Sequence, residues 1–347
     1  MVVDVWLDAV TPKDSLLIYS LLPSLKEKGY KTFVTAKNQT QTTDIFDILK
    51  VEYVCVGEYG ENLKQKLIAE QKRTLKFLDI FNSVGLPRVL WTHGDVSAIR
   101  TAFGLQIPIV YSNDTPVAIH VAKLVCPLVN WLVAPEFFGK SWRQFGISES
   151  KMAFYDGIEE TAWLLEPRFG EPKFLEPLAE KERIVLFRNA EYKASYCKDV
   201  KLDAWRLLRK LSKIATVVYL PRYEEEKNIA KKLDNVWIPP KPVLAAQIIP
   251  YVDVTVGSGG TICRETALMG KPAINFHFWD AAAKYLYRKN FPIRRIRNTA
   301  KIVETVKNIF ETPEKHTVNT TCDLERLENP VSSMIRYLER SLVAPQT

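Results

Sequence analysis

Val252-Asp253-Val254-Thr255-Val256 followed by Gly257-Ser258-Gly259-Gly260-Thr261-Ile262-Cys263-Arg264-Glu265 reads as a short β-branched strand, a glycine turn and the opening of a helix. In a parallel α/β sheet such a turn sits at the carboxyl end of its strand. Backbone N–H groups and the helix N-terminus then face outward and favour an anion, most often a phosphate. Ser258, Gly259, Gly260 and Thr261 are therefore the expected anion cradle, with the Thr261 hydroxyl as an extra donor. Glu265, about one turn into the helix, has the reach and acceptor chemistry to hold the two hydroxyls of a ribose. Together they sketch a ribose diphosphate site. The plainer alternative is a tight βα turn with a solvent-facing glutamate.

The same alternation of strand and helix runs outward in both directions. In the half of the chain that holds the turn, apolar strands are expected over 184–187, 216–220, 236–238, 252–256 and 272–276, with helices such as 204–211 and 265–269 among them. Before it, strands are expected over 2–7, 31–35, 53–56, 88–92, 107–111 and 131–133, separated by helices over 16–27, 43–49, 62–81, 97–103 and 117–126. Short strands alternating with helices imply parallel sheets covered on both faces. The fold class is α/β, as two Rossmann-like doubly wound domains facing a cleft. Pro167, Pro172 and Pro177 punctuate a charged, weakly periodic stretch that suits a linker. The expected division is 1–165 for the first domain, 166–182 for the linker and 183–329 for the second. An amphipathic helix over 330–347 is expected to cross back to the first domain. A chain of 347 residues accommodates two such cores.

With 47% hydrophobic and 25% charged residues and only 14 Gly, the composition excludes disordered and collagen-like classes. Five scattered cysteines with no C-x-x-C pair argue against a disulfide framework or structural zinc, and no metal is expected. The most apolar stretch, 121–138, is interrupted by Lys123, Pro127, Asn130, Pro135 and Glu136 and is too polar to span a bilayer. The opening residues, 1–8, read as a first strand rather than a leader, so a cytoplasmic protein is expected. The net charge is +8, and its excess falls in the second half. Arg288, Lys289, Arg294, Arg295, Arg297 and Lys301 are interleaved there with Tyr285, Tyr287 and Phe291. Nucleic acid or an anionic membrane surface suits such a run, the latter as peripheral association at the inner face; a solvated face is the simpler account. No nucleic-acid motif accompanies it, so nucleic acid is not an expected partner.

Other candidates sit where α/β sites assemble, just beyond strand ends. His93 and Asp95 follow the strand 88–92, and Asn113-Asp114-Thr115 follow 107–111. Arg188 and Arg222 follow two strands of the second half and suit bidentate contact with phosphate oxygens; Lys193 is a further cation there. Structural alternatives stand beside them: Asp114 as a cap through Thr115-Pro116 and the cations as surface charge, while Asp14, in the loop after the first strand, suits the N-cap of a helix from Ser15. His277 is similarly placed, and His120 and His316 are assigned no role.

The segment Ser258-Gly259-Gly260-Thr261-Ile262-Cys263-Arg264-Glu265, continued to Gly270-Lys271-Pro272, resembles the donor-binding motif of GT-B glycosyltransferases. Its spacing is similar to that of the N-acetylglucosaminyltransferase that forms lipid II. One residue out of register in the turn, it is also similar to the non-hydrolysing UDP-N-acetylglucosamine 2-epimerases. In both, the glutamate matching Glu265 holds the ribose of the UDP-sugar. Nearly the whole chain resembles a domain-of-unknown-function family of ~350-residue, mostly archaeal predicted glycosyltransferases. The matching segments are Trp6-Leu7-Asp8, Val34-Thr35-Ala36-Lys37, Thr92-His93-Gly94, Asn113-Asp114-Thr115, Tyr155-Asp156-Gly157, Ala194-Ser195-Tyr196, Leu220-Pro221-Arg222 and Gly259-Gly260-Thr261 with Arg264-Glu265.

The resemblance implies a metal-independent GT-B transferase without a cofactor. It would move a sugar from a nucleoside diphosphate sugar, UDP-linked, to a hydroxyl acceptor, with a lipid-linked molecule or a glycan as the acceptor classes. The implied catalytic residues are Asp14, His93 and Asp114, with Asp14 or His93 as base; the implied donor-site residues are Ser258, Gly259, Gly260, Thr261, Glu265, Arg188 and Arg222. One departure stands out. The family carries Asn-Pro-Pro-His after its first strand, whereas this chain has Val10-Thr11-Pro12-Lys13-Asp14, with Asp14 where a histidine is expected. A 2-epimerase is the second reading, with Asp95 and Asp114 as its acid/base pair. It is weakened because Phe187-Arg188-Asn189-Ala190-Glu191 lacks the histidine of that family. A non-catalytic nucleotide-sugar binder is the third.

Overall fold

The apolar run Val5-Trp6-Leu7-Asp8-Ala9 forms β1, buried at every position, as a central strand of a sheet covered on both faces must be. In the computed structural model, which describes residues 3–39, 41–165, 169–190, 202–277 and 279–343, the chain divides into two units. The first comprises Met1–Trp163 and Leu327–Thr347, the second Leu164–Arg326.

The first unit holds a parallel sheet of β1 (Val5–Ala9), β2 (Thr32–Asn38), β3 (Val54–Glu58), β4 (Val89–Thr92), β5 (Ile109–Ser112), β6 (Trp131–Pro135) and β7 (Met152–Tyr155), in the order β3-β2-β1-β4-β5-β6-β7. The winding reverses between β1 and β4. Loops beyond the carboxyl ends of those two strands diverge, which opens the position where doubly wound sheets bind ligands. The segments that emerge there are Val10–Asp14 and His93–Asp95.

The second unit repeats the plan with β8 (Ile184–Arg188), β9 (Thr216–Tyr219), β10 (Val236–Trp237), β11 (Val254–Gly257), β12 (Ala273–Asn275) and β13 (Ile293–Arg295), in the order β10-β9-β8-β11-β12-β13. Its winding reverses between β8 and β11, and Gly257 pairs in register with Arg188 on one side and Asn275 on the other. Val185, Phe187, Val217, Val254 and Val256 form its core with Leu207, Leu208 and Leu211 of the helix Ala204–Leu211. The two units are doubly wound parallel α/β domains.

The helix Pro330–Val343 belongs to the first unit, where it packs on β4, β5, β6 and β7 and on the helix Pro12–Glu27. Tyr337 meets Trp131 with ring centroids 4.7 Å apart, Arg340 lies over the same indole, and Lys28 pairs with Glu339 at 2.8 Å.

Several elements differ from expectation. β7 and β13 appear where no strand is expected, and β11 ends at Gly257 rather than Val256. The first helix begins at Pro12, one turn before Ser15, because Thr11 caps it and proline tolerates the first helical position. Thr11 and Asp14 form a reciprocal capping box, so Asp14 lies in the first turn and is not the N-cap. The helix expected over 117–126 shortens to Ile119–Val125, and Asp114 does not cap it; Asn113 Oδ1 instead accepts from the Thr115 N–H at 2.6 Å. Lys193, the segment Ala194-Ser195-Tyr196 and residues 166–168 of the expected linker lie outside the described residues. Among the described residues, no helix is long and apolar enough to cross a membrane.

Candidate functional site

The glycine turn of the second unit follows from strand pairing on both sides of β11. The Ser258 N–H donates to Arg188 O at 3.3 Å, and the Phe276 N–H donates to Gly257 O at 3.0 Å, which fixes the chain where it leaves the sheet. The helix Gly260–Leu268 starts at once, with Gly259 as N-cap and no side chain capping its first N–H groups. A helix N-terminus left in this state is a donor array with a partial positive charge. A Cβ on Gly260 would stand 2.6 Å from Arg264 Nη1, so a larger residue there would displace that guanidinium. Arg264 in turn pairs with Asp280 at 2.9 Å.

Arg222 reaches the same turn, with Nη2 3.6 Å from where a Gly259 Cβ would be. Its loop is anchored by buried Glu226, which accepts from the Arg222 N–H at 2.7 Å and from Asn189 Nδ2 at 3.3 Å. Sequence reasoning missed Glu226, whose only signal is its place one turn beyond Leu220-Pro221-Arg222. Ser258 and Glu265 are buried at 3% and 4% exposure, so Glu265 is not the solvent-facing glutamate of the plainer alternative. Ser258, Gly259, Gly260, Thr261, Arg188 and Arg222 gather at the carboxyl ends of β8, β9 and β11, with Glu265 in the helix that follows. His277 is held by its backbone, its N–H donating to Asn275 Oδ1 and its carbonyl accepting from Arg295.

The first unit holds a second cluster, made of Lys13, Asp14, His93, Asp114, Glu159 and Glu160. The helix after β1 supplies Lys13 and Asp14, the loops after β4 and β5 supply His93 and Asp114, and the segment after β7 supplies the two glutamates. His93 is bridged on both ring nitrogens: Nδ1 lies 3.1 Å from Asp14 Oδ1 and Nε2 lies 3.0 Å from Glu159 Oε1. Gly94, at φ +128°, turns the chain directly behind it, a conformation that favours glycine. Asn113 Nδ2 donates to His93 O at 2.6 Å and fixes the turn.

Lys13 Nζ lies 2.5 Å from Asp114 Oδ2, 2.8 Å from Glu159 Oε2 and 3.7 Å from Glu160 Oε1. Asp14, His93 and Asp114 were legible as strand-end residues, whereas Lys13, Glu159 and Glu160 were not. Their one trace is the Tyr155-Asp156-Gly157 segment, which runs directly into Ile158-Glu159-Glu160.

The charges follow from this packing. Burial works against a charge on His93, but Glu159 and Asp14 outweigh it and push its pKa up to about 10. Burial also acts to raise the Asp14 carboxyl, yet hydrogen bonds and charge from His93, with donors from Thr11 and Val10, hold it below the usual carboxylate range. At neutral pH His93 is therefore an imidazolium and a poor base, and Asp14 is a weakly basic carboxylate that positions it.

Because the folded state raises the His93 pKa, its stabilisation is complete below about 6.5 and is lost as pH climbs toward 10. Chemical denaturation across that range should show native stability falling by a few kcal/mol. The His93→Gln profile should be nearly flat over the same interval; a parallel decline in both proteins would contradict the assignment.

Asp95 is committed elsewhere. Its Oδ1 caps the helix Val96–Gly104 through the Ala98 N–H at 2.6 Å, and its Oδ2 pairs with Arg73 Nη1 at 2.6 Å. Arg73 also holds Asp8 at 2.8 Å and 3.1 Å and donates to Val56 O at 2.7 Å, all in a fully buried setting.

His93, Asp114 and Glu159 offer ligand atoms within 4.8 Å of one another, a spacing a metal ion can use. The same Asp114 and Glu159 carboxylates already receive the Lys13 ammonium, and Glu159 also receives the charged His93. Two side chains thus supply the positive charge a metal would bring.

The sequence matches the family described as "Protein of unknown function (DUF354)" over residues 3–337. A curated relative, an uncharacterized protein of Methanocaldococcus jannaschii, is 25% identical over 306 residues, covering 83% of this chain and 86% of that protein. Among solved structures, the UDP-GlcNAc 2-epimerase of M. jannaschii in complex with UDP-GlcNAc and UDP aligns at TM-score 0.70 and 13% identity, covering 97% of this chain and 99% of that one. The glycotransferase of kitacinnamycin aligns at TM-score 0.58 and 14% identity, covering 99% and 100%. At these identities the likeness is one of fold.

Proposed function

The chain belongs to the DUF354 family, and from that premise and the two clusters just described we propose that it is a glycosyltransferase that moves a sugar from a UDP-sugar to a hydroxyl acceptor. The observation that carries the reading is the uncapped N-terminus of the helix Gly260–Leu268, placed where the second sheet's winding reverses and flanked by Arg222. The diphosphate is assigned to the N–H groups around Gly259, Gly260 and Thr261, with Arg188 and Arg222 answering the charge that grows on it as the glycosidic bond breaks. Glu265 is assigned the ribose hydroxyls. UDP is chosen because it is bound in the M. jannaschii epimerase structure of the same fold.

In the first unit, Asp114 is the group assigned to take the acceptor proton, in place of Asp14 or His93. One of its carboxylate oxygens faces Lys13 and the other accepts from Thr115 Oγ1 at 2.8 Å. His93 and Asp14 form a rigid charged pair behind it. Dipoles and cations fill the role of a metal in this scheme. A lipid-linked or glycan acceptor, and with it a membrane-surface location, belongs to the same proposal.

The shared fold keeps a 2-epimerase as the competing reading. It needs an acid and a base on opposite faces of the sugar C2, and Asp95, one of its two candidates, has both oxygens engaged at 2.6 Å. Asp95 is tied to the fully buried Arg73 and to a helix N-terminus, a structural duty, whereas Asp114 is held by the side chains of Lys13 and Thr115, and this difference favours transfer over epimerisation. Incubation with UDP-sugars, with and without added glycan or lipid-linked acceptors, tests the choice. UDP release that depends on acceptor is the expected result; epimer formation without acceptor would overturn the transferase reading.

A further inference from the structure

The second unit contains a basic cavity that the nucleotide chemistry does not use. It has a volume of about 420 Å³ and is lined by Pro272 and Ala273 where the chain enters β12, by Phe291, Pro292 and Ile293 where it enters β13, and by residues of the helix Thr299–Glu311 and the turn after it. In a parallel sheet those are the amino ends of the strands. The cavity therefore opens at the sheet edge opposite the Gly257–Thr261 turn.

Four of its lining residues, Arg288, Arg294, Lys315 and His316, are cationic or become so on protonation, and none of its lining residues is acidic. Among the described residues, no hydrogen bond or ion pair engages these four side chains. A helix C-terminus favours a nearby cation, which accounts for Arg288 in the last turn of the helix Ala281–Arg288. It does not account for Arg294, which projects from strand β13, or for the pair Lys315 and His316 beyond a separate helix. Burial and the nearby Arg294 hold the His316 pKa below its usual value, with Glu314 acting the other way; the like charges around the concavity repel one another, and a bound anion relieves that repulsion. The remaining wall is mostly apolar, with Phe291 and Ile309 buried and the exposed Tyr287 at the rim, alongside the polar Asn290 and Thr305. Mixed lining of this kind and size is typical of small-ligand sites, which span roughly 300–1,000 Å³.

We propose that this cavity is a second ligand site, separate from the nucleotide turn, that binds a small phosphorylated molecule with an apolar or aromatic body. Guanidinium forks of Arg288 and Arg294 take the phosphate oxygens, Lys315 adds a point charge, and the Phe291 and Pro292 wall takes the body. The basic stretch 288–295 thus acts as a pocket rather than as a general polyanion surface.

Isothermal titration of the full chain with phenyl phosphate tests this, using the native protein, the double variant Arg288→Ala/Arg294→Ala, and Glu265→Ala. Both arginines are exposed, so their removal spares the fold, which a melting curve checks. The native protein and Glu265→Ala should bind with equal affinity, and the double variant at least tenfold more weakly. Inorganic phosphate should bind more weakly than phenyl phosphate to the native protein. Absence of binding at millimolar concentration, equal binding by the double variant, loss of binding in Glu265→Ala, or equal affinity for inorganic phosphate would each overturn the proposal. The double variant separates the two sites, because it leaves the Gly257–Thr261 turn with Arg188 and Arg222 intact, so phenyl phosphate held at the nucleotide site would bind it undiminished.

Discussion

Arg73→Met should destabilise the first unit by about 3–5 kcal/mol, the cost of leaving buried charge without its partner. Arg73 is fully buried between Asp8 and Asp95 and donates to Val56 O as well, so one side chain ties together β1, β3 and the start of the helix after β4. Burial already pushes the Asp8 carboxyl up to about 7 against the pull of Arg73, with Asp95 adding to the rise. Removing the guanidinium leaves two carboxylates facing each other in a dry site. In thermal unfolding the first unit's transition should fall on the order of 10 °C. Adding Asp8→Asn should recover part of that loss by deleting one of the stranded charges. A double variant no more stable than Arg73→Met would mean that lost packing, not charge, sets the cost.

Asp114→Asn should reduce turnover by roughly 10²–10⁴, the usual contribution of a positioned general base. The change keeps the shape of the side chain, and Lys13 retains Glu159 at 2.8 Å, so the fold should survive with only a small loss of stability. UDP affinity should stay at its native value, because the residues assigned to the nucleotide all lie in the second unit. A fall in kcat with unchanged UDP affinity identifies Asp114 as the proton acceptor. Native kcat in Asp114→Asn would move that role to Glu159 or Glu160.

Most of the strands that were legible in the sequence are apolar ones buried on both faces, and the partly exposed edge strands β3 and β10 were legible as well. β1, β4, β5 and β6 announce themselves as runs of Val, Ile, Leu and Trp, and the alternation with helices was enough to infer parallel doubly wound sheets. β7 and β13 escaped for a physical reason: each is a partly exposed edge strand without the pair of β-branched residues, Val54 and Val56 or Val236 and Ile238, that marks the edges at β3 and β10. Ile293-Arg294-Arg295 buries only its isoleucine, and Phe154 within β7 is exposed. Their invisibility propagated to the site. Glu159 and Glu160 are placed by β7, so without that strand only the adjoining Tyr155-Asp156-Gly157 segment hinted at them, and their partner Lys13 lies 146 residues from Glu159 in sequence. His93 and Asp114 were found because their strands were found. Asp95 shows the converse limit: its strand-end position resembled a catalytic one, but its carboxylate is consumed by a helix cap and by Arg73, and the helix that brings Arg73 there carried no sequence signal of that pairing.

The central claim, a nucleotide site at the Gly257–Thr261 turn with Glu265 on the ribose, is tested most directly by thermal unfolding with UDP. A ligand at about 100 times its dissociation constant adds about 2.7 kcal/mol, a shift of several degrees for a unit of this size. The account predicts that UDP raises the melting temperature of the native protein and leaves that of Glu265→Ala nearly unmoved. An equal rise in both proteins, or none in the native one, would contradict it.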